Sequence, residues 1–201
     1  MPRPQVFTRA ATQDDLPILL TLADELRQVG GRAERAINPL STVDIPQRLA
    51  DVLADPFCRI VMACIDDAPV GMAVLQVTQP DPLSDNKVVQ IAHLVVQRAK
   101  RHRGVGHALV SAAADFAADQ RIDHVAAGVY PSLRDAHRFY ARLSFAPVAV
   151  RRIAPVPVLR RRLTQDRATA LLSDTVRRRT RLGRAVPRQP GTRPIPERVE
   201  T

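Results

Sequence analysis

Leu94-Val95-Val96-Gln97-Arg98-Ala99-Lys100-Arg101-His102-Arg103-Gly104-Val105-Gly106 decides how this chain folds. Its first residues close a strand that begins near Val88 and is rich in β-branched side chains. A basic turn, 97–103, follows, and a helix opens at Gly104 and runs to about Gln120. Val105, Ala108, Leu109, Ala112, Ala113, Phe116 and Ala117 recur at the i, i+3, i+4 spacing of a helix with one buried face. A strand that feeds a helix directly exposes the first-turn N–H groups, which have no partner inside the helix. They carry the positive end of the helix dipole and suit an anion. Gly104 and Gly106 remove the Cβ that would keep a phosphate off the backbone, and Lys100, Arg101 and Arg103 add positive charge. A tight basic turn with two helix-packing glycines accounts for the same spacing. The strand before it and the helix after it favour the anion site.

Working outward, Val6 to Ala10 reads as a strand, and Thr12-Gln13-Asp14-Asp15 as a capping box opening a helix with Leu16, Leu19, Leu20 and Ala23 on one face. Gly30-Gly31 ends that helix, and 32–43 reads as a loop with some helical content. Asp44 caps a second helix carrying Ile45, Leu49, Val52 and Leu53. Ile60–Ile65 and Val70–Thr78 form a hairpin about the turn Asp66-Asp67-Ala68-Pro69. After the central helix, His124–Val129 is a strand, and Ser132-Leu133-Arg134-Asp135 is a second capping box for a helix ending near Leu143. Pro147–Leu159 reads as extended. The order β-α-α-β-β-β-α-β-α-β gives an α/β (α+β) fold with a single mixed, mostly antiparallel central sheet flanked by helices.

Composition narrows the class. The 201 residues suit one domain with an extension. With only seven aromatics, the core rests on Val, Leu, Ile and Ala. No apolar run approaches the ~18 residues of a membrane span, and no apolar signal region follows Met1, so the expectation is a cytoplasmic protein with no membrane partner. Cys58 and Cys64 sit on one extended segment, ~20 Å apart at ~3.3 Å per residue, against the ~7 Å limit of a disulfide. They read as reduced, mostly buried thiols without metal-ligand spacing.

The basic turn and a downstream segment together resemble the GCN5-related N-acetyltransferase (GNAT) superfamily. Arg101-x-x-Gly104-x-Gly106, preceded by Leu94-x-Val96, is similar to its Q/R-x-x-G-x-G/A signature, and Ala136-x-x-Phe139-Tyr140-x-x-x-Ser144-Phe145 to its A-x-x-[LF]-Y-x-x-x-G-F segment. Within these motifs His102 and Ser144 stand where glycine is usual, Arg98 where proline is usual, and Leu133 where an asparagine often helps hold the cofactor. The resemblance covers about residues 5–150. It implies an acyl-CoA-dependent N-acyltransferase that uses acetyl-CoA and no metal. Arg101, His102, Arg103, Gly104, Val105 and Gly106 would hold the pyrophosphate, and Leu94, Val95 and Val96 the pantetheine arm.

The chemistry requires a polarised thioester carbonyl, an amine that loses a proton and a thiolate that leaves. The resemblance places the polarising backbone N–H near Val95 or Val96 and makes Tyr140 the acid for the departing thiolate; a phenol of pKa about 10 can donate to it. His93, three residues before Val96, is the candidate base. A core or solvent-facing histidine is the competing reading, and a carboxylate or water chain could serve instead. Tyr130 is a candidate wall of the acceptor pocket, and His137 reads as a surface residue. Gly30, Gly31, Arg32, Glu34 and Arg35 lie in the loop where the resemblance puts acceptor contacts. The acceptor amine stays unidentified.

The charge is asymmetric. Residues 1–150 hold 16 Lys/Arg and 16 Asp/Glu, whereas 151–201 hold 14 Arg and 4 Asp/Glu, which is the entire net +10. The expected division is a catalytic domain over 1–160, a basic amphipathic helix over 161–182 and a Pro/Arg-rich disordered tail over 183–201. Ala168, Leu171, Leu172, Thr175 and Val176 give that helix an apolar face, which the domain or a homodimer partner would cover. The arginines form a solvated arm or meet nucleic acid or an acidic protein. The tail has no aromatic residue with which to stack on single-stranded bases. A regulatory or scaffolding module acting through this segment is the alternative to an enzyme.

Overall fold

The computed structural model describes residues 5–27 and 44–167, which fall in two units, 1–148 and 149–201. In the first unit, β1 (Val6–Ala10), α1 (Leu16–Arg27), α2 (Ile45–Ala54), β2 (Cys58–Ile65), β3 (Ala68–Thr78), β4 (Val88–Val96), α3 (Val105–Asp119), β5 (Val125–Ala127) and α4 (Arg134–Arg142) follow in order. The sheet order is β1-β2-β3-β4-β5. Neighbours are antiparallel except β4 and β5, which are parallel. The mixed, mostly antiparallel sheet expected from sequence is therefore present.

Local chemistry explains the elements. Asp66 and Asp67 have φ of 49° and 63°, so the β2–β3 hairpin closes on a two-residue turn with both central residues left-handed, as the strand twist favours. Asp tolerates this region better than most side chains. β3 accordingly begins at Ala68, and the turn is shorter than the four residues expected. The Asp44 carboxylate accepts from the Gln47 amide at 3.4 Å and Pro46 occupies the first turn of α2. Before α1, Asp15 accepts from the Thr12 amide at 2.8 Å and from both Arg9 guanidinium nitrogens at 2.7 Å. The Arg9 pairing holds the Asp15 carboxyl well below the usual range.

Two apolar layers sandwich the sheet. Against α3 lie Val61, Ala63, Ile65, Val70, Ala73, Leu75, Val89 and Ile91, with Phe116 and Leu109 fully buried. Against α1 and α2 lie Ile60, Met62, Met72 and Val95, with Leu19 and Leu22 fully buried. Each fully buried Val, Leu, Ile, Met or Phe among them contributes about 1.5–3 kcal/mol. Cys64 is buried and Cys58 half-buried, both free on β2, and burial pushes both thiols up.

Three expectations need correction. β5 spans Val125–Ala127 rather than 124–129. The N-cap of α4 is Leu133, with no side-chain cap bond, rather than Ser132; the first helical bond runs from the His137 amide to the Leu133 carbonyl. No strand forms over 147–159; in the second unit a helix, α5, occupies 156–167 of the described residues. The Leu159 amide donates to the Pro155 carbonyl at 3.0 Å. Pro155 and Pro157 bracket its start, where a missing N–H costs nothing. The expected stretch 161–182 begins inside this helix, and its remainder, with 183–201, lies outside the described residues, as do Gly30-Gly31 and the 32–43 loop.

Candidate active site

The site begins where β4 and β5 part. They pair only at Val89↔Val125, Gln90↔Ala126 and Ile91↔Ala127. β5 then ends, while β4 runs on to Val96, leaving a fork in the sheet. A β-bulge coincides with the parting: Leu75 of β3 faces Ile91 but Val74 faces His93, so Ala92 is an extra residue.

Beyond the bulge, the Gln97 amide bonds the Val70 carbonyl at 2.9 Å and Val96 stands opposite Gly71. Strand alternation then turns the peptide groups of Val95 toward β3 and those of Leu94 and Val96 toward the fork. The Val96 carbonyl accepts from Arg101 Nε at 3.2 Å, which anchors the basic turn to the end of the strand. Sequence reasoning left Val95 and Val96 equal as backbone donors; the register separates them. It also missed Gly71, where a Cβ would lie 2.8 Å from the Val95 carbonyl oxygen. A glycine inside a strand is the available signal for such close approach.

The turn after β4 ends in Gly104, the N-cap of α3, at φ 84° and ψ −4°. This left-handed conformation favours glycine, and a Cβ added there meets nothing within 4 Å. The first bond of α3 joins the Ala108 amide to the Gly104 carbonyl at 3.0 Å, so the amides of Val105, Gly106 and His107 emerge from the helix end beside that open space. These groups fit an anionic diphosphate. Gly106 has another reason to be glycine: its Cβ would press on Phe139 at 3.3 Å. Val105 is buried in the core beneath the turn, and Arg103 is exposed. His102 takes φ 61°, and Ser144, just past α4, takes φ 64°.

Tyr140 packs edge-on between Phe139 and Phe145, each ring 5.1 Å away. Burial pushes its phenol up to about 12. Tyr140, Leu94, Val96 and Ala127 all pack against the α3-side core, so the structure brings Tyr140 and both arms of the fork to one face. His93 lies opposite Val74, which belongs to the α1–α2 face together with Val95. Strand parity places His93 on that second face, and burial lowers its pKa. The fork opens through the sheet, so Tyr140 and His93 flank it from opposite sides. His137 Nε2 lies 3.1 Å from the Tyr130 carbonyl oxygen and ties α4 to the loop before it. A second feature escaped the sequence reading: a cleft of about 200 Å3 between the turn and α4, lined by His102, Asp135, Arg138, Phe139 and Arg142.

A family model described as the acetyltransferase (GNAT) family matches residues 24–145. No curated protein matches the chain. Among solved structures, a putative acetyltransferase from Agrobacterium tumefaciens shares 25% identity with a TM-score of 0.59, covering 74% of this chain and 98% of that one. An aminoglycoside N-acetyltransferase in complex with CoA superposes with a TM-score of 0.62 at 16% identity, covering 77% and 97%. A ribosomal-protein-alanine N-acetyltransferase from Brucella melitensis biovar Abortus 2308 gives 0.59 at 16% identity, covering 75% and 99%. The last two likenesses speak to the fold.

Proposed function

The chain belongs to the GNAT acetyltransferase family, as an acyl-CoA-dependent N-acyltransferase, and from that premise we propose that it moves an acetyl group from acetyl-CoA to an amine by direct attack at the β4–β5 fork. The observation that carries this reading is the left-handed Gly104 with open space before the first amides of α3, at the end of a strand that has lost its neighbour. Acetyl-CoA supplies the acetyl group as a thioester, and the amine takes it as CoA thiolate leaves.

The residues then divide the work. The amides of Val105, Gly106 and His107 hold the diphosphate, with Arg101, His102 and Arg103 supplying positive charge. Leu94 and Val96 offer strand-edge peptide groups to the pantetheine arm. A fork-facing amide, Leu94 or Val96 by register, polarises the carbonyl. Tyr140, whose phenol burial pushes up to about 12, is a neutral donor at neutral pH and gives its hydrogen bond to the leaving sulfur. His93, whose pKa burial lowers, accepts the amine proton from the other face of the fork.

The acceptor is an amine whose class is open, since 28–43, which includes the expected acceptor loop, lies outside the described residues. The test is calorimetric titration with acetyl-CoA, followed by CoA release from a panel of small amines, amino acids and peptides. Saturable binding with release on at least one amine supports the reading; no binding by folded protein refutes it.

The charge split favours one addition, that the arginine-rich segment after residue 150 meets a polyanion. Replacing Arg177, Arg178, Arg179 and Arg181 by Gln should then flatten the salt dependence of duplex DNA binding by up to ~0.9 per lost phosphate contact. Identical salt slopes remove these four arginines from such a role. Normal acetyl transfer with no DNA binding in either protein refutes a nucleic-acid module.

A further inference from the structure

We propose that the free edge of β1 is a dimerisation surface, on which a second copy of this chain pairs its own β1 antiparallel about a two-fold axis at Thr8. The sheet has two edges, and they differ. β5 is three residues long, and shortness is a common guard against edge pairing. β1 has five residues, no proline and no register shift against β2. Its one charged side chain, Arg9, is neutralised by Asp15, which accepts from both guanidinium nitrogens at 2.7 Å. The devices that usually keep an edge from pairing are therefore missing from β1.

Register says which groups this edge offers. The Ala11 amide bonds the Ile60 carbonyl at 2.8 Å, and bonding alternates along the strand, so Phe7 and Arg9 turn their peptide groups to β2. Val6, Thr8 and Ala10 turn theirs outward. Among the described residues, the one partner given to these outward groups is the Arg9 side chain, 3.2 Å from the Ala10 carbonyl oxygen. An axis at Thr8 uses all three residues: Thr8 pairs with Thr8 of the second copy, and Val6 with its Ala10, in one continuous ladder. The same axis sets Phe7 opposite the second copy's Arg9, in a non-hydrogen-bonded pair where side chains stand closest. Phe7 is 38% exposed, much for a large apolar ring on a strand, and a guanidinium over its face is an attractive covering. Residues 7 and 9 flank the axis equally, so the contact forms twice.

The α3 side of the edge is self-complementary in charge. A groove of about 140 Å3 runs between β1 and α3, and Thr8, Ala10, Arg59, Ala112 and Asp115 are among its walls. Arg59 is held there by Asp119 at 3.2 Å and by the Phe116 ring at 4.2 Å. Asp115 has no ion pair among the described residues. A fixed cation and an uncompensated acid on one rim suit an isologous contact, in which each meets its opposite on the other copy. β2 and β3 separate this edge from β4, so the fork of each copy stays open.

Sedimentation equilibrium on the full chain tests the inference. Wild type should form a dimer that dissociates on dilution. Thr8→Pro removes an outward N–H without taking a bond from β2. It should raise the dimer dissociation constant at least tenfold, about 1.4 kcal/mol, while the circular dichroism spectrum and acetyl-CoA affinity stay at wild-type values. Phe7→Lys sets like charges across the axis and should weaken the dimer to a similar degree; it decides the question if Thr8→Pro does not fold. Wild type that stays monomeric even at millimolar protein overturns the inference. A dimer of unchanged strength in the folded variants also overturns it, because another surface then joins the copies.

Discussion

Gly104→Ala separates the backbone demand of the turn from its role in binding. At φ 84° any side chain carries a left-handed penalty of about 1–2 kcal/mol. The lower entropy of the unfolded chain returns about 0.5–1 kcal/mol of it. A Cβ at this position meets nothing within 4 Å, so no packing cost is added and the net loss is about 1 kcal/mol. In urea this is a midpoint shift of about 0.5 M for an m-value near 2 kcal/mol/M. Binding should respond differently. The new methyl stands in the space before the first amides of α3 and should cost acetyl-CoA at least tenfold, about 1.4 kcal/mol, in fully folded protein. Gly106→Ala is the control, because its methyl strikes Phe139 at 3.3 Å and its primary effect is on stability. Urea unfolding and calorimetry on both variants make the comparison. If Gly104→Ala shows the urea shift but binds acetyl-CoA within twofold of wild type, the phosphate does not use that space.

Tyr140→Phe should leave acetyl-CoA affinity nearly unchanged and lower turnover ~10²–10⁴-fold where chemistry is rate-limiting; unchanged turnover would assign Tyr140 to packing between Phe139 and Phe145. The kcat/KM profile should have an acid limb below the ordinary histidine pKa, since burial lowers that of His93, and His93→Gln should abolish it; survival of the limb in the variant excludes His93 as the base. Ser144→Gly relieves a φ of 64° and should stabilise by about 0.5–1 kcal/mol, raising Tm by about 2 °C. A lower Tm would contradict the left-handed turn. Asp15→Asn should reduce the loss of stability on acidification: the Asp15 carboxyl is depressed in the fold, so its contribution is present above the unfolded pKa of ~3.9 and disappears as pH falls toward the folded value. Equal acid sensitivity in wild type and variant would count against the Arg9–Asp15 pairing.

Most of the fold was legible because the signals were periodic. The stripe from Val105 to Ala117 and the β-branched run from Val88 to Val96 each specify one element and one period. Misreadings fell where periodicity gives out. Pro147 to Leu159 is apolar enough for a strand, yet Pro155 and Pro157 suit the first turn of a helix equally well, and the helix forms. At Ser132 the capping pattern was satisfied in sequence, but the helix starts one residue later, at a leucine. In the site, the glycine turn could be read because its residue types are demanding: φ of 84° selects Gly104. Of the four departures noted from sequence, the two that replace a usual glycine, His102 and Ser144, both occupy left-handed positions where glycine would be unstrained. The cleft was missed because Arg138 and Arg142 look like any charged helix surface until Phe139 and Gly106 bring α4 to the turn.

The position of His93 shows why one residue of register can outweigh a good sequence pattern. Side chains alternate along a strand, so an unbroken β4 would send Val89, Ile91, His93 and Val95 to the same face. Val89 and Ile91 are buried against α3, but Val95 is buried against α1 and α2. The extra residue at Ala92 accounts for the switch: it turns Leu94 and Val96 to the Tyr140 side and His93 away from it. The same bulge stands where β5 leaves β4, so one local irregularity opens the fork and divides Tyr140 and His93 between its faces. Deleting Ala92 should therefore do more than shorten a strand. It would remove the irregularity without moving side chains between faces, since alternation from Ile91 then still places His93 on the α1–α2 side and Leu94 and Val96 on the Tyr140 side. It would also let β4 and β5 continue pairing. The expected product is a folded protein that neither binds acetyl-CoA nor turns over. Full acetyl-CoA affinity in the deletion variant, with its fold verified by circular dichroism, would show that the bulge does not organise the site.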